Sequence, residues 1–409
     1  MFESLFQQAK NQTTILRRLT LEERNQALSC IASTLEANIP AILEANEIDL
    51  QQAHLANNEQ ALLDRLVFTE KRIRQSCDDI KSIISLSDPL NQLLWETTRP
   101  NQLHIQKKSI PLGLIGIVYE ARPNVTIDII SLAIKTGNAC ILRGGKEARL
   151  TNLALMKIIH QAIQFIIPIE AYQYIDDPDR SGFHALLNAQ GIVDCVIPRG
   201  GKGLIQAVLK ESRVPVIETG AGNCHLYIDD DADLVMGLAI AKNAKMSRPS
   251  VCNAIETILV HEAIAPVFLP KLVDVFEGKV IIRGCEDTRK IICCEIATEE
   301  DYWTEYNDLI IAVKIVANID EAITHINHYS THHSEAIITK NDAHAKQFLQ
   351  DVDSACVYHN ASTRFSDGGE FGFGAEVGIS TQKMHARGPM GLEALTSYQY
   401  QVIGGGQIR

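Results

Sequence analysis

Long apolar runs are missing from this 409-residue chain. Its two most apolar windows, 127–142 and 153–169, are broken by Asp128, Lys135, Lys157, His160 and Gln161, too many polar groups for a membrane span. Positive charge is also in deficit. The formal net charge is −12, which argues against nucleic acid or an anionic membrane as the main partner but still allows a small anion held by a local basic cluster. No internal repeat or low-complexity tract is present. The ten cysteines are scattered, mostly in apolar runs, as reduced buried thiols are. Cys293-Cys294 has no second Cys/His pair at zinc-ligand spacing, so no metal is expected. The amino terminus lacks a basic stretch leading into an apolar core, so no signal peptide is expected and the cytoplasm is the expected location.

What remains is ordinary in amount and informative in order. A hydrophobic fraction of 46% and a charged fraction of 22% suit a globular protein of two or three domains. The first 88 or so residues read as helices, one of them opened by the capping box Thr20-Leu-Glu-Glu23. Strands and helices then alternate. Strands are expected at Leu114–Tyr119, Ala139–Arg143, Val193–Ile197 and Val214–Ile217, with helices between them. A second series follows at His225–Ile228, Ile255–Val260, Leu309–Val316, Ala336–Thr339 and Ala355–Tyr358. The acidic triplet Asp229-Asp230-Asp231 marks a domain boundary, which would put the functional site at the junction. The segments 101–109 and 396–403 alternate like exposed strands that need a partner.

The chemistry gathers in a few turns. Cys252 lies in Ser247-Arg-Pro-Ser-Val-Cys252, a Pro-containing turn just ahead of a strand, where a thiol can face a cleft. A nearby cation such as Arg248 would favour its thiolate. Any one of ten cysteines has low prior odds of being a nucleophile; the turn and a carboxylate 34 residues upstream raise them. That carboxylate, Glu218, ends an apolar run before Thr-Gly-Ala-Gly222. A partly desolvated carboxylate there has a raised pKa and suits a base, although a solvated strand end is the commoner outcome. Two basic glycine turns run from strand into helix: Arg143-Gly144-Gly145-Lys146 and Arg199-Gly200-Gly201-Lys202. Such turns suit phosphate, yet neither is a Rossmann or Walker sequence. Tyr119-Glu-Ala-Arg122-Pro-Asn124, the loop around Arg364 and the loop around His385 and Arg387 are further polar turns of the kind that line sites.

These segments together resemble the aldehyde dehydrogenase superfamily, and within it the members that reduce glutamyl 5-phosphate in proline biosynthesis. The likeness covers nearly the whole chain. It rests on Gly116-Ile-Val-Tyr-Glu-Ala-Arg-Pro-Asn124, Glu218-Thr-Gly-Ala-Gly222, Ser247-Arg-Pro-Ser-Val-Cys252-Asn-Ala, Asn360-Ala-Ser-Thr-Arg-Phe365 and His385-Ala-Arg-Gly-Pro-Met-Gly-Leu-Glu-Ala394. It implies an α/β fold of two doubly wound parallel-sheet domains plus a small β oligomerisation arm. Residues 1–100 and 111–228 would form the nicotinamide-nucleotide domain, 229–392 the catalytic domain, and 101–110 with 393–409 a two-strand arm.

The resemblance also implies roles. Cys252 matches the nucleophile and Glu218 the general base. The oxyanion asparagine falls at about Arg122, with Asn124 two residues on, so both stay open. Arg143, Gly144, Gly145, Lys146, Gly200, Gly201 and Glu305 match cofactor positions, and Lys146, where many members have a glutamate, implies NADPH/NADP. Arg364, His385 and Arg387 are the candidates for the substrate's anionic groups. The implied activity is NADPH-dependent reduction of L-glutamyl 5-phosphate to the 5-semialdehyde through a Cys252 thioester, by a homo-oligomer in transient contact with glutamate 5-kinase. The alternatives are a CoA-acylating or ordinary aldehyde dehydrogenase, which phosphate independence would reveal, and a non-catalytic binding protein, which would lack a hyper-reactive cysteine.

Overall fold

The computed structural model describes residues 2–58, 60–177 and 179–409, without the side chains of Gln60, Ala61 and Lys202. Its strands, in chain order, are β1 Leu93–Thr98, β2 His104–Pro111, β3 Leu114–Tyr119, β4 Ala139–Arg143, β5 Tyr172–Tyr174, β6 Cys195–Arg199, β7 Cys224–Ile228, β8 Ile255–His261, β9 Ile281–Gly284, β10 Glu295–Ile296, β11 Ile310–Val316, β12 Ser334–Ile338, β13 Cys356–His359, β14 Ile379–Ser380, β15 Gly388–Pro389 and β16 Thr396–Ile403. The chain divides into two compact units. One comprises residues 1–218, 372–378 and 390–409; the other 219–371 and 379–389. Among the described residues no helix is long and apolar enough to cross a membrane.

The first unit opens with helices. The expected capping box forms: Glu23 N–H donates to the Thr20 hydroxyl while the Glu23 carboxylate accepts from Thr20 N–H. Its parallel sheet runs β5-β4-β3-β6. β3 is buried along its whole length and β4 over its first four residues, as both must be when helices cover the two faces. The chain builds outward from β3 to β4 and β5, then returns to place β6 on the other side. Such a reversal opens a crevice at the carboxyl ends of the strands.

Two expectations need correction here. The run 214–217 is not a strand. Only Val216 bridges to Val196, because Pro215 has no N–H to offer a ladder. The two lone strands do pair, β2 with β16 from His104 to Pro111, but a third, β1, joins them on the other side of β2. β1 was not expected, since its side chains are nearly all exposed and show no alternation.

The second unit carries a seven-stranded parallel sheet in the order β10-β9-β11-β8-β7-β12-β13. One face packs Leu226, Ile258, Val260, Phe268 and Leu272. The other packs Tyr227, Leu259, Ile326 and Phe348. Successive residues on β7 and β8 thus go to opposite faces. β7 belongs wholly to this sheet, so the units change over at Glu218/Thr219. The triplet 229–231 is the turn after β7. The pairing of β7 with β8 slips by one residue: Cys224 faces Ile255 and His225 faces Thr257. Glu256 is the extra residue, a bulge three positions beyond Asn253.

Candidate functional site

In the first unit, three turns leave adjacent strand ends. Arg143 on β4 is in register with Val118 on β3, and Arg199 on β6 with Tyr119. Their glycines exist for close approach. A Cβ on Gly145 would lie 3.2 Å from the Ala121 nitrogen, one on Gly200 2.7 Å from the Glu120 side chain, and one on Gly144 2.4 Å from Asn152. The turns after β4 and β6 therefore both close on Glu120-Ala121. Lys146 is exposed at the start of the helical segment that follows β4, and Gly201 precedes the helix Lys202–Glu211. The Lys202 side chain lies outside the described residues. Arg143 donates to the carbonyls of Gly144 and Asp179, both at 3.1 Å, while its buried Nε has no partner among the described residues. A buried N–H without an acceptor is costly and rare.

Asn124 begins the helix after β3, and its amide nitrogen donates to Asp128 at 2.9 Å. Burial raises the Asp128 carboxyl to about 7 despite that bond. Arg122 is half-buried and its backbone N–H donates to the Glu120 carbonyl at 2.7 Å. Glu218, the last residue of the unit's first segment, is half-buried, and burial lifts its carboxyl above the ordinary value.

In the second unit, Cys252 sits in the turn between the helix Leu234–Met246 and β8, half-buried, at the amino end of the sheet. Its backbone is gripped on several sides. A Cβ on Gly222 would fall 1.4 Å from the Cys252 carbonyl oxygen, so only glycine fits there. Gly222 N–H in turn donates to Glu305 at 2.7 Å. The Cys224 thiol donates to the Cys252 carbonyl at 3.2 Å. Asn253 donates to the carbonyls of Arg364 and Ser366, and the Thr363 hydroxyl returns a bond to the Asn253 carbonyl. The other side of the glycine turn meets Thr381: a Cβ on Gly220 would lie 2.2 Å from it.

Arg364 spans the Cys252 turn. Its carbonyl is tied to Asn253 and its Nε donates to Ser247 at 3.1 Å. Its charge interacts with those of Arg248 and Cys252; burial, then Arg248, lower its pKa. Arg387 and Lys383 both grip Asp353, at 2.9 and 2.7 Å. His385 is exposed, with its carbonyl accepting from Gln382.

Two features escaped the sequence reading. Lys245 and Glu256 form a fully buried ion pair at 2.5 Å, and Glu256 also accepts from Asn307 N–H. Burial pushes both toward neutrality, raising Glu256 and lowering Lys245. The available signal was the single charge of Glu256 inside the apolar run 254–260; Lys245, with Lys242 and Arg248 close by in the chain, gave none. The second is Cys224, whose contact with the Cys252 turn has no signature in spacing. One group of potential metal ligands, Asp229, Asp230 and His344, occurs among the described residues. The Asp229 carboxylate is already engaged by Tyr227, Thr339 and His344.

A basic glycine-turn crevice in one parallel-sheet unit and a gripped cysteine turn in the other define a class. The chain belongs to the aldehyde dehydrogenase family, whose model matches residues 1–289. Within that family it groups with the gamma-glutamyl phosphate reductases. It is 51% identical over 409 residues to that enzyme of Carboxydothermus hydrogenoformans, with 99% of each chain covered. It is 51% identical over 405 residues to that of Caldanaerobacter subterraneus, with 98% of each covered. The crystal structure of gamma-glutamyl phosphate reductase from Thermotoga maritima superposes with a TM-score of 0.98 at 45% identity, covering 100% of this chain and 99% of that one. An acetylating aldehyde dehydrogenase from Geobacillus thermoglucosidasius, at 15% identity and a TM-score of 0.70, shares the fold alone.

Proposed function

We propose that this chain reduces L-glutamyl 5-phosphate to L-glutamate 5-semialdehyde and phosphate, the reduction step of proline biosynthesis, with Cys252 as nucleophile. The observation that carries the mechanism is the immobilised Cys252 turn, closed by Gly222 below and spanned by Arg364. Fixing a nucleophile's backbone removes orientational freedom that would otherwise add to the barrier.

The Cys252 thiolate attacks the γ-carbonyl carbon. A C–S bond forms, and the oxygen gains negative charge. Cys252 N–H, with Asn124 or Arg122, stabilises that charge. The C–O bond to phosphate breaks, leaving a thioester and free phosphate. Arg364, Arg387 and His385 hold the substrate's anionic groups; for Arg387 this means sharing or exchanging Asp353. Family membership implies a nicotinamide cofactor, which when bound supplies the hydride that takes the acyl group to the aldehyde level. The first unit's residues fit such a group: Gly144, Gly145, Gly200 and Gly201 keep the turns low, and the buried Nε of Arg143 has no partner among the described residues. Arg143 and Lys146 favour a 2′-phosphate and hence NADPH, and Glu305 is the candidate for a ribose. Glu218, its carboxyl kept partly protonatable by burial, takes up or returns the thiol proton. C–S cleavage finally restores the thiolate.

On this reading the unit with the sheet β5-β4-β3-β6 is the nucleotide domain, the unit whose sheet begins with β7 is the catalytic domain, and β2 with β16 forms the core of an oligomerisation arm. The setting is the cytoplasm, with a transient contact to glutamate 5-kinase that shields a labile acyl phosphate. The decisive test is the reverse reaction of the semialdehyde with NADP⁺, with and without inorganic phosphate, in the parent and in Cys252→Ala. Strict phosphate dependence in the parent and no turnover in the variant are expected. Phosphate-independent turnover, or an active Cys252→Ala, would overturn the reading.

A further inference from the structure

Behind the Cys252 turn lies a second thiol that the mechanism does not use. Cys224 is the first residue of β7 and is fully buried. It sits two residues past Gly222, under the Cys252 carbonyl, with 3.2 Å between sulfur and oxygen. On its other side is the Nδ1 atom of buried His333, at 3.8 Å. From His333 a line of hydrogen bonds continues: Nδ1 to the Ser334 hydroxyl at 2.8 Å, Ser334 to the Ser366 hydroxyl at 2.5 Å, and Ser366 to the Tyr358 hydroxyl at 2.7 Å. Ser366 carries the carbonyl gripped by Asn253. The line therefore starts under Cys252, passes through Ser366 beside the Arg364 segment that spans it, and ends at Tyr358 on β13.

The proton positions follow from the one unpaired atom. His333 Nε2 is buried without a partner among the described residues. An orphaned N–H is worse tolerated than an orphaned acceptor, so the proton belongs on Nδ1. Nδ1–H then points at Ser334 with Cys224 sulfur alongside, and the Cys224 S–H is left to donate to the Cys252 carbonyl. Burial first, and the nearby carboxylate of Glu335 second, push the Cys224 thiol well above its ordinary pKa, so it remains a donor. Burial lowers His333 to about 4, so it remains neutral.

We propose that Cys224 is a positioning residue for Cys252: its S–H, aimed by His333, pins the Cys252 carbonyl into the Gly222 notch and so fixes the direction of the reactive side chain. The pinned carbonyl also keeps its negative end on the core side, bonded to a donor, where it opposes a thiolate least. The inference rests on Cys252 being the nucleophile.

The test uses the full chain with Cys224→Ala and Cys224→Val, which remove the donor with a smaller and a larger side chain respectively, and Cys224→Ser. Iodoacetamide labelling of Cys252, resolved by peptide, is measured beside steady-state kinetics and thermal melts. Loss of one hydrogen bond predicts that Val and Ala slow Cys252 labelling and kcat by about tenfold, while KM for the semialdehyde moves by less than about twofold. The serine variant is expected to recover both to within about threefold of the parent, since a hydroxyl donates to the same oxygen. If Val does not fold, the comparison of Ala with Ser decides. Parent-like labelling in Ala, or a serine variant as impaired as Ala, would overturn the proposal. An active Cys252→Ala would instead remove the nucleophile reading, a separate result because labelling needs no turnover.

Discussion

The two units place their candidate chemistry at opposite ends of parallel strands. In the first, Arg143 ends β4, Lys146 follows it, and Gly200 and Gly201 follow the carboxyl end of β6, where helices begin. In the second, Cys252 and Gly222 precede the amino ends of β8 and β7. Anion sites belong at carboxyl ends, because helix amino termini point there. A cysteine ahead of a strand has no such help. It depends instead on a tight backbone: a glycine that admits a carbonyl, a thiol donor, and a spanning arginine. One site is built by fold geometry and the other by individual contacts, and they should break differently.

The largest effect is expected at Gly222→Ala. The added Cβ would fall 1.4 Å from the Cys252 carbonyl oxygen, so the Cys252 turn must move. A displacement of that order predicts at least about a 10²-fold loss of kcat with the cofactor's KM nearly unchanged. Steady-state kinetics checks this; a fully active variant would show that the notch does not set Cys252.

Next is Lys245→Met. It leaves Glu256 buried without its cation, which predicts a loss of about 3–5 kcal/mol in denaturant unfolding. The double change with Glu256→Gln should recover much of the loss, because the unpaired charge is gone. A single variant as stable as the parent would show that the bulge tolerates an unpaired carboxylate.

A smaller effect is expected in the first unit, where several groups share the work. Lys146→Glu should raise the KM for NADPH by about tenfold and lower the ratio of NADPH to NADH efficiency, with kcat retained. An unchanged ratio would remove Lys146 from cofactor selection.

The smallest concerns pH. The Asp128 carboxyl is raised to about 7, above its unfolded value. Between the two values the unfolded chain has lost a proton that the folded chain keeps, so stability falls as pH rises from about 4 to 7 through this group. Asp128→Asn should flatten that part of the Tm-against-pH curve. An unchanged slope would show that the carboxyl ionises freely in the folded chain.

These differences track what could be read beforehand. β3, β4 and β8 were legible because apolar and β-branched runs bounded by turns report themselves within a few residues, and the segment 396–403 because it alternates like an exposed strand. So were the basic glycine turns, which are local strand-to-helix junctions. β1 was not, since an exposed strand has no apolar period, and the run 214–217 misled because an apolar stretch with Pro215 looks like a strand but cannot form a full ladder. Glu256 was visible as an isolated charge in an apolar run, but Lys245, with Lys242 and Arg248 close by in the chain, gave no sign of being its partner.

The sequence alone determined the α/β alternation, the turn that carries Cys252 and the family to which the chain belongs, because each is written in contiguous residues. Only the tertiary structure decided that Gly222 and Cys224 meet the Cys252 carbonyl, that Arg364 crosses its turn and that Glu256 finds Lys245. Those contacts join residues 11 to 117 positions apart, and no local pattern encodes which distant side chain a folded sheet will bring alongside.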